Sequence, residues 1–310
     1  MLSSYTLRIS VLENCQLRCN YCDPPQKFSN QKLSLSSYQK LACALQTIPI
    51  EKIRFTGGEP LLRKELPSIV EIFSEYFPGS KRALTTNGLL FTKRAQSLWQ
   101  AGLRHITFHL DSLNESRYAN LMGKGSVASV LNAIEKAQAI GFETKLNMVV
   151  QQSNNDDELL DFLLMAKKYK LEVRFIELMN TGSAQDFVKE NFLSGKKIIE
   201  KIKSYGEVIA MPRKHASDPA QQFYFSALNV NFGLIASDTQ PFCENCNRLR
   251  LSASGKLYGC LYDSVGVDLL KEDEKKLEAC IKQSVENKES FHPSLNKHRR
   301  RLFSMSQTGG

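Results

Sequence analysis

Six of the eight cysteines fall into two sets of three: Cys15, Cys19 and Cys22 in CQLRCNYC, and Cys243, Cys246 and Cys260 in CENCNRLRLSASGKLYGC. The first set has C-x3-C-x2-C spacing and the second C-x2-C-x13-C. Three thiolates can hold an iron–sulfur cluster whose closed form takes four cysteines, so each set would leave one iron open to another molecule. Zinc prefers four ligands, and no histidine lies near the first set. For the second set zinc stays open as a reading, with His215, His292 or His298 as a remote fourth ligand. Cys43 and Cys280 stand outside both patterns and read as ordinary helix-packing positions. No cysteine falls between Cys43 and Cys243, which suits metal or redox chemistry in a reducing compartment rather than a disulfide scaffold.

Other residues extend this chemistry. In TGGEP at 56–60, paired glycines permit close backbone approach and Glu59 offers a carboxylate to an amine. Arg248 and Arg250 follow Cys246, and on a strand their spacing puts both on one side, where two guanidinium forks suit a phosphate chain. The 310 residues carry 41 basic and 32 acidic side chains, a net +9 that favours an anionic partner without identifying it. Lys297, Arg299, Arg300 and Arg301 form a basic run near the end, which closes on Gly309-Gly310. With 42% apolar and 24% charged residues, wholesale disorder is excluded. No apolar run is long enough to cross a bilayer and the start lacks the pattern of a secretion signal, so a cytoplasmic protein with no membrane partner is expected.

These residues must be positioned by an alternating framework. Apolar patterning predicts strands at about 5–11, 52–55, 81–85, 104–110, 144–150 and 171–177, separated by helices at about 34–47, 65–77, 92–101, 126–140 and 156–169. Six strands with helical connections imply an α/β chain with a largely parallel sheet, either open or curled into a partial barrel. Cysteines, TGGEP, TTNG, HLDSL and ELMNTG each follow or end a strand, the side where catalytic loops of α/β barrels collect. Beyond about Gly182 the rhythm changes to a short helix at 196–204, short strands and turns around 206–211, 223–236 and 249–259, and a helix at 271–288.

The triad Cys15, Cys19 and Cys22 resembles the signature of the radical S-adenosylmethionine superfamily. Together with IRFTGGEPLLRKEL, LTTNGLL, AGLRHITFHLDSL, NNDDEL, VRFIELMNTG, the second triad with its RLR segment and the final diglycine, almost the whole chain resembles the GTP 3′,8-cyclase (MoaA) family of molybdenum cofactor biosynthesis. The resemblance implies an incomplete (βα)6 TIM-like barrel over residues 1–182. It also implies a C-terminal iron–sulfur domain over 183–310 that closes the barrel mouth and binds GTP. Its cofactors would be two [4Fe–4S] clusters, S-adenosylmethionine and an external electron donor. The first cluster would generate a 5′-deoxyadenosyl radical that takes hydrogen from ribose C3′ of GTP. The C3′ radical would then attack guanine C8, giving (8S)-3′,8-cyclo-7,8-dihydroguanosine 5′-triphosphate, while the second cluster holds the base.

The same resemblance assigns Tyr21, Gly58, Glu59, His109 and Met179 to S-adenosylmethionine, and Arg8, Arg54, Thr85, Lys145, Arg248 and Arg250 to GTP. Gly309 and Gly310 would enter the active site and support cofactor cleavage. Expected partners are a reducing protein such as flavodoxin or ferredoxin, the downstream cyclic pyranopterin monophosphate synthase, and a second copy in a homodimer, with no dedicated nucleic-acid partner. His109 departs from the family's usual SLD, LENC replaces TDRC, and the chain starts close to LRIS without a preceding glycine-arginine stretch. These departures keep a second reading open, a radical enzyme acting on another nucleotide or a peptide. A zinc-stabilised RNA-binding protein would explain the net positive charge and the basic run but not TGGEP or two three-cysteine groups.

Overall fold

Alternation of apolar and polar side chains makes the first strand, with Leu7 and Ile9 fully buried while Thr6 and Arg8 turn to the other face. The computed structural model describes residues 4–22, 32–179, 185–263, 265–271 and 274–289. Strands β1 (Tyr5–Ser10), β2 (Ile50–Thr56), β3 (Lys81–Thr86), β4 (His105–His109), β5 (Glu143–Val150) and β6 (Glu172–Glu177) realise the six expected strands. Between them run helices α1 (Leu35–Ala44), α2 (Leu66–Tyr76), α3 (Phe91–Gln100), α4 (Glu115–Met122), α5 (Val127–Ile140) and α6 (Leu159–Tyr169). Their apolar faces join the strands' outer side chains in one core, where Phe91 meets Phe108 edge-on at 5.2 Å and Trp99 meets Phe142 at 5.0 Å.

Two local differences from the sequence reading have clear causes. Helix α4 has no counterpart among the expected elements; Asn114 caps it by accepting from Arg117 N at 3.0 Å, and Gly123 ends it at φ +84°. Helix α6 begins at Leu159, later than expected, because buried Asn155 holds the preceding turn. The Asn155 side chain accepts from Gln151 N at 2.7 Å and donates to the carbonyls of Asp111 and Val149 at 2.7 and 2.9 Å.

After β6 come α7 (Gln185–Asn191), α8 (Gly195–Lys203), β7 (Val208–Met211), β8 (Gln221–Phe225), β9 (Val230–Ile235), β10 (Arg248–Leu251), β11 (Lys256–Tyr258), β12 (Val267–Asp268) and α9 (Glu274–Glu289). The strands from this region join both edges of the first sheet. The order is β12-β11-β10-β1-β2-β3-β4-β5-β6-β9-β8-β7, and the eight strands from β10 to β9 are mutually parallel. Apolar patterning predicts six parallel strands; β9 and β10, from the region beyond residue 182, extend the parallel set at either side. Cys43 is exposed on α1 rather than packed, because Tyr38, Leu41 and Ala42 form that helix's buried face. Among the described residues, no helix is long and apolar enough to cross a membrane.

Candidate functional site

The loop that follows β1 carries the first cysteine set, and α4 holds it. Arg18 N donates to Met122 O at 3.0 Å and Asn20 N to Leu121 O at 3.2 Å, so the last turn of α4 pairs with the backbone between Cys15 and Cys22. Within the loop Cys22 N donates to Cys19 O at 2.9 Å, and Leu17 N points at Cys15 Sγ from 3.4 Å. All three cysteines are half-buried free thiols. Burial pushes Cys15 up to about 11 and, with Asp111 and the neighbouring cysteines, pushes Cys19 well above the ordinary thiol value. Bare Cys15 and Cys19 thus stay protonated, and metal binding must release their protons. Among the described residues, no three metal-ligating side chains converge on one ion. Three half-buried thiols on one loop are the donor set that a [4Fe–4S] cluster with one open iron takes.

TGGEP locks this loop to the sheet. Gly58 N donates to Leu12 O at 2.7 Å and Glu59 N to Asn14 O at 2.8 Å. A Cβ on Gly57 would lie 2.2 Å from Leu12 O, and one on Gly58 would lie 2.3 Å from the carbonyl oxygens of both Glu13 and Asn14. The space that a side chain would need at Gly58 is therefore filled by the protein's own backbone. Glu59 is 1% exposed, and its carboxylate accepts from Thr86 Oγ1 at 2.7 Å, Asn87 N at 2.8 Å and Leu61 N at 3.0 Å. Burial pushes it up to about 7 despite those donors, so Glu59 ties the turns after β2 and β3 together.

Tyr21, His109 and Asp111 form a compact group beside the cysteines. The Tyr21 hydroxyl donates to Asp111 Oδ2 at 2.7 Å, and His109 Nε2 lies 2.6 Å from that hydroxyl and 3.0 Å from the same carboxylate oxygen. Asp111 is fully buried and also accepts from Val149 N at 2.8 Å. Burial alone would lower the His109 value, but the Asp111 carboxylate prevails and raises it. Imidazole at this position thus has a specific partner, one that sequence inspection could not supply. Met179 is half-buried just beyond β6.

Cations cluster on the sheet face opposite the helices. Arg8 pairs in register with Arg250 on one side and with Arg54 on the other, so three arginines stand abreast on β10, β1 and β2. Adjacent strands lie about 4.8 Å apart, so three like charges abreast raise the positive potential of this face. Arg54 donates to Thr85 Oγ1 at 2.9 Å and to Thr107 Oγ1 at 3.0 Å; burial and Arg174 hold its value down to about 10. Lys145 pairs with Glu172 at 2.8 Å, and Glu172 also accepts from Arg174 at 2.5 Å. Burial first, then Arg54 and Arg174, pull Lys52 down to about 7. Lys52, Thr107 and Arg174 escaped sequence inspection, although their strand parity matches that of the predicted residues.

The second cysteine set opens around β10 and β11. Cys246 N donates to Cys243 O at 3.1 Å, and all three cysteines are half-buried. Burial would raise Cys246, but Arg248 and Lys288 overcome it and bring the thiol down to about 6. Arg248 also lies over the Phe242 ring at 4.6 Å, and Arg250 is buried. The segment before Cys243 hangs on Glu177, whose buried carboxylate accepts from Asp238 N and Thr239 N at 3.1 Å each, and from Gly195 N at 2.5 Å at the start of α8. Gly309, Gly310, His292, His298 and the basic run lie outside the described residues.

Residues 9–166 match the radical SAM superfamily and residues 171–293 match Molybdenum Cofactor Synthesis C. The chain is 36% identical to a GTP 3′,8-cyclase of Aquifex aeolicus, covering 98% of this chain and 96% of that protein. It is 35% identical to one from Alkaliphilus metalliredigens, with 98% and 97% covered. Among solved structures, Streptococcus suis SuiB bound to S-adenosylmethionine superposes with a TM-score of 0.67 at 13% identity, covering 93% of this chain and 68% of that one. At that identity the likeness concerns the fold.

Proposed function

Because the chain belongs to the radical S-adenosylmethionine superfamily and, within it, to the GTP 3′,8-cyclase family, we propose that it cyclises GTP between ribose C3′ and guanine C8 for molybdenum cofactor biosynthesis. The observation that carries this reading is the row Arg250, Arg8 and Arg54 on the same strand-end system as the first cysteine loop. Three guanidinium groups abreast match a triphosphate, whose charge they would share through paired hydrogen bonds. Thr85 and Thr107 brace Arg54, while Lys52, Arg174 and Lys145 add positive potential to the same face.

Cys15, Cys19 and Cys22 would hold one [4Fe–4S] cluster and Cys243, Cys246 and Cys260 the other. With S-adenosylmethionine bound, the first cluster supplies the radical chemistry that protein side chains cannot. The chain's own contribution is placement. The α4 backbone and the TGGEP contacts fix the first loop; Tyr21, His109, Gly58, Glu59 and Met179 would contact S-adenosylmethionine, and Gly309 and Gly310 would support its cleavage. The second cysteine set would hold the guanine end and Arg248 would join Arg250 on the phosphates, since a displacement of about 1 Å at the ribose costs on the order of 100-fold in rate. We place a functional division near residue 182 and the protein in the reducing cytoplasm, consistent with its eight free thiols. A flavodoxin- or ferredoxin-type reductant, the cyclic pyranopterin monophosphate synthase and a second copy of the chain complete the proposed partners.

An anaerobic reaction with reduced protein, S-adenosylmethionine and GTP deuterated at ribose C3′ tests the reading by mass analysis of both products. The expected result is deuterated 5′-deoxyadenosine and a cyclised nucleotide that keeps three phosphates. Deoxyadenosine formed beside unchanged GTP, in preparations with both clusters intact, would overturn the cyclase assignment and leave the radical one.

A further inference from the structure

Lys288 is a buried cation at the second cysteine set. It stands in the last turn of α9, is 7% exposed, and directs Nζ at Cys246 Sγ and at Gly259 O, each 3.3 Å away. A lysine is almost never buried without a charge or strong acceptor to meet it, and neither of these partners is a carboxylate. The ammonium bridges the two halves of the set, because Gly259 immediately precedes Cys260. Its position is built in rather than incidental. A Cβ on Gly259 would sit 2.7 Å from Ser284 O and 3.1 Å from Lys288 N, so only glycine lets the helix lie this close. Ile281 and Val285, fully and nearly buried on the same helix, seat it further.

We infer that Lys288 is a positioning residue for the second cluster, its ammonium donating an N–H···S hydrogen bond to Cys246 and raising that cluster's reduction potential. The inference rests on the proposed second [4Fe–4S] site. Reduction adds negative charge to a group already ligated by three thiolates, and hydrogen bonds to ligand sulfurs favour the reduced state. Arg248 also acts on Cys246 but is assigned to the substrate, so Lys288 is the cation whose place does not depend on GTP.

The test uses full-length protein carrying Cys15→Ser, Cys19→Ser and Cys22→Ser, so that only the second cluster is reconstituted. Lys288→Met, Lys288→Gln and Lys288→Arg are compared with Lys288 in that background. Iron and sulfide analysis is followed by a potentiometric titration monitored by electron paramagnetic resonance. The expected result is a full four-iron complement with a more negative midpoint in Lys288→Met and Lys288→Gln, and a value closer to the parent in Lys288→Arg. An unchanged midpoint in loaded Lys288→Met would overturn the inference, and so would loss of iron from all three variants, which would make the lysine purely structural. Zinc in place of iron in the parent would instead strike the underlying site assignment. Failure to turn over GTP leaves this measurement unaffected.

Discussion

Arg54 and Arg250 stand within β2 and β10 rather than in the cysteine loops, so truncating them tests the proposed phosphate site. A charge-assisted hydrogen bond removed by truncation is worth about 1.5–3 kcal/mol, so Arg54→Ala and Arg250→Ala should each weaken GTP affinity by roughly 10- to 100-fold. Anaerobic calorimetry with GTP on cluster-loaded protein measures this, with iron content as the control. Undiminished affinity in a loaded variant would remove that residue from the phosphate site. His109 makes a different residue-scale prediction. Its value is raised above the ordinary 6.5 by Asp111, which outweighs burial. A raised histidine contributes stability that is fully present below about pH 6.5 and is lost as pH climbs through the folded value. Thermal melts should therefore favour wild type over His109→Ser more at pH 5.5 than at alkaline pH, the difference shrinking as pH rises. Curves that stay parallel over that range would show that the His109–Asp111 contact carries no net charge coupling.

At the scale of elements, the βα alternation was legible because short apolar-rich strands, with period-two burial clear in β1 and β6, alternate with long helices that each carry an apolar face. Helix α4 was not, since its eight residues, ESRYANLM, give too short a pattern beside the stronger α5 signal. The clue available was the pair Asn114 and Gly123, a cap and a stop at the right separation. Its importance lies in what it grips, the backbone of Arg18 and Asn20 between the cysteines of the first set. TGGEP was legible as a close approach, and the structure adds a partner for it: Gly57 and Gly58 admit the Leu12–Asn14 backbone. Gly58→Ala should thus destabilise the protein before any cofactor is considered. Overpacking against rigid backbone costs about 1–3 kcal/mol or more, and the predicted outcome is a melting temperature several degrees lower in the apoprotein together with poor loading of the first cluster. An apoprotein as stable as wild type, defective only in S-adenosylmethionine binding, would return Gly58 to a direct cofactor role.

Across the whole molecule, the sequence could not reveal that residues beyond 182 supply strands to both edges of the first sheet. Sequence order hides this because β9 lies beside β6 while β10 returns to β1. That return is what sets Arg250 beside Arg8, while Lys52 on β2 of the same face feels its own neighbours. Burial, Arg54 and Arg174 hold Lys52 down to about 7 from 10.5. Two opposite pH trends result. In the unliganded protein the unfolded chain binds the extra proton between about pH 7 and 10.5, so this contribution to stability grows as pH rises across that window and is lost as pH falls through 7. A bound triphosphate neutralises the repelling cations and restores the proton to Lys52, so GTP binding takes up a proton and its affinity declines from pH 7.5 to 9. The terminal phosphate's own proton, with a pKa of about 6, is already gone in that range and does not mimic the effect. Anaerobic calorimetry in buffers of different ionisation enthalpy should register net proton uptake on GTP binding, and Lys52→Met should abolish both the uptake and the pH slope while lowering affinity at pH 7.5. Identical uptake in wild type and Lys52→Met would show that the triphosphate is not read by this face of the sheet.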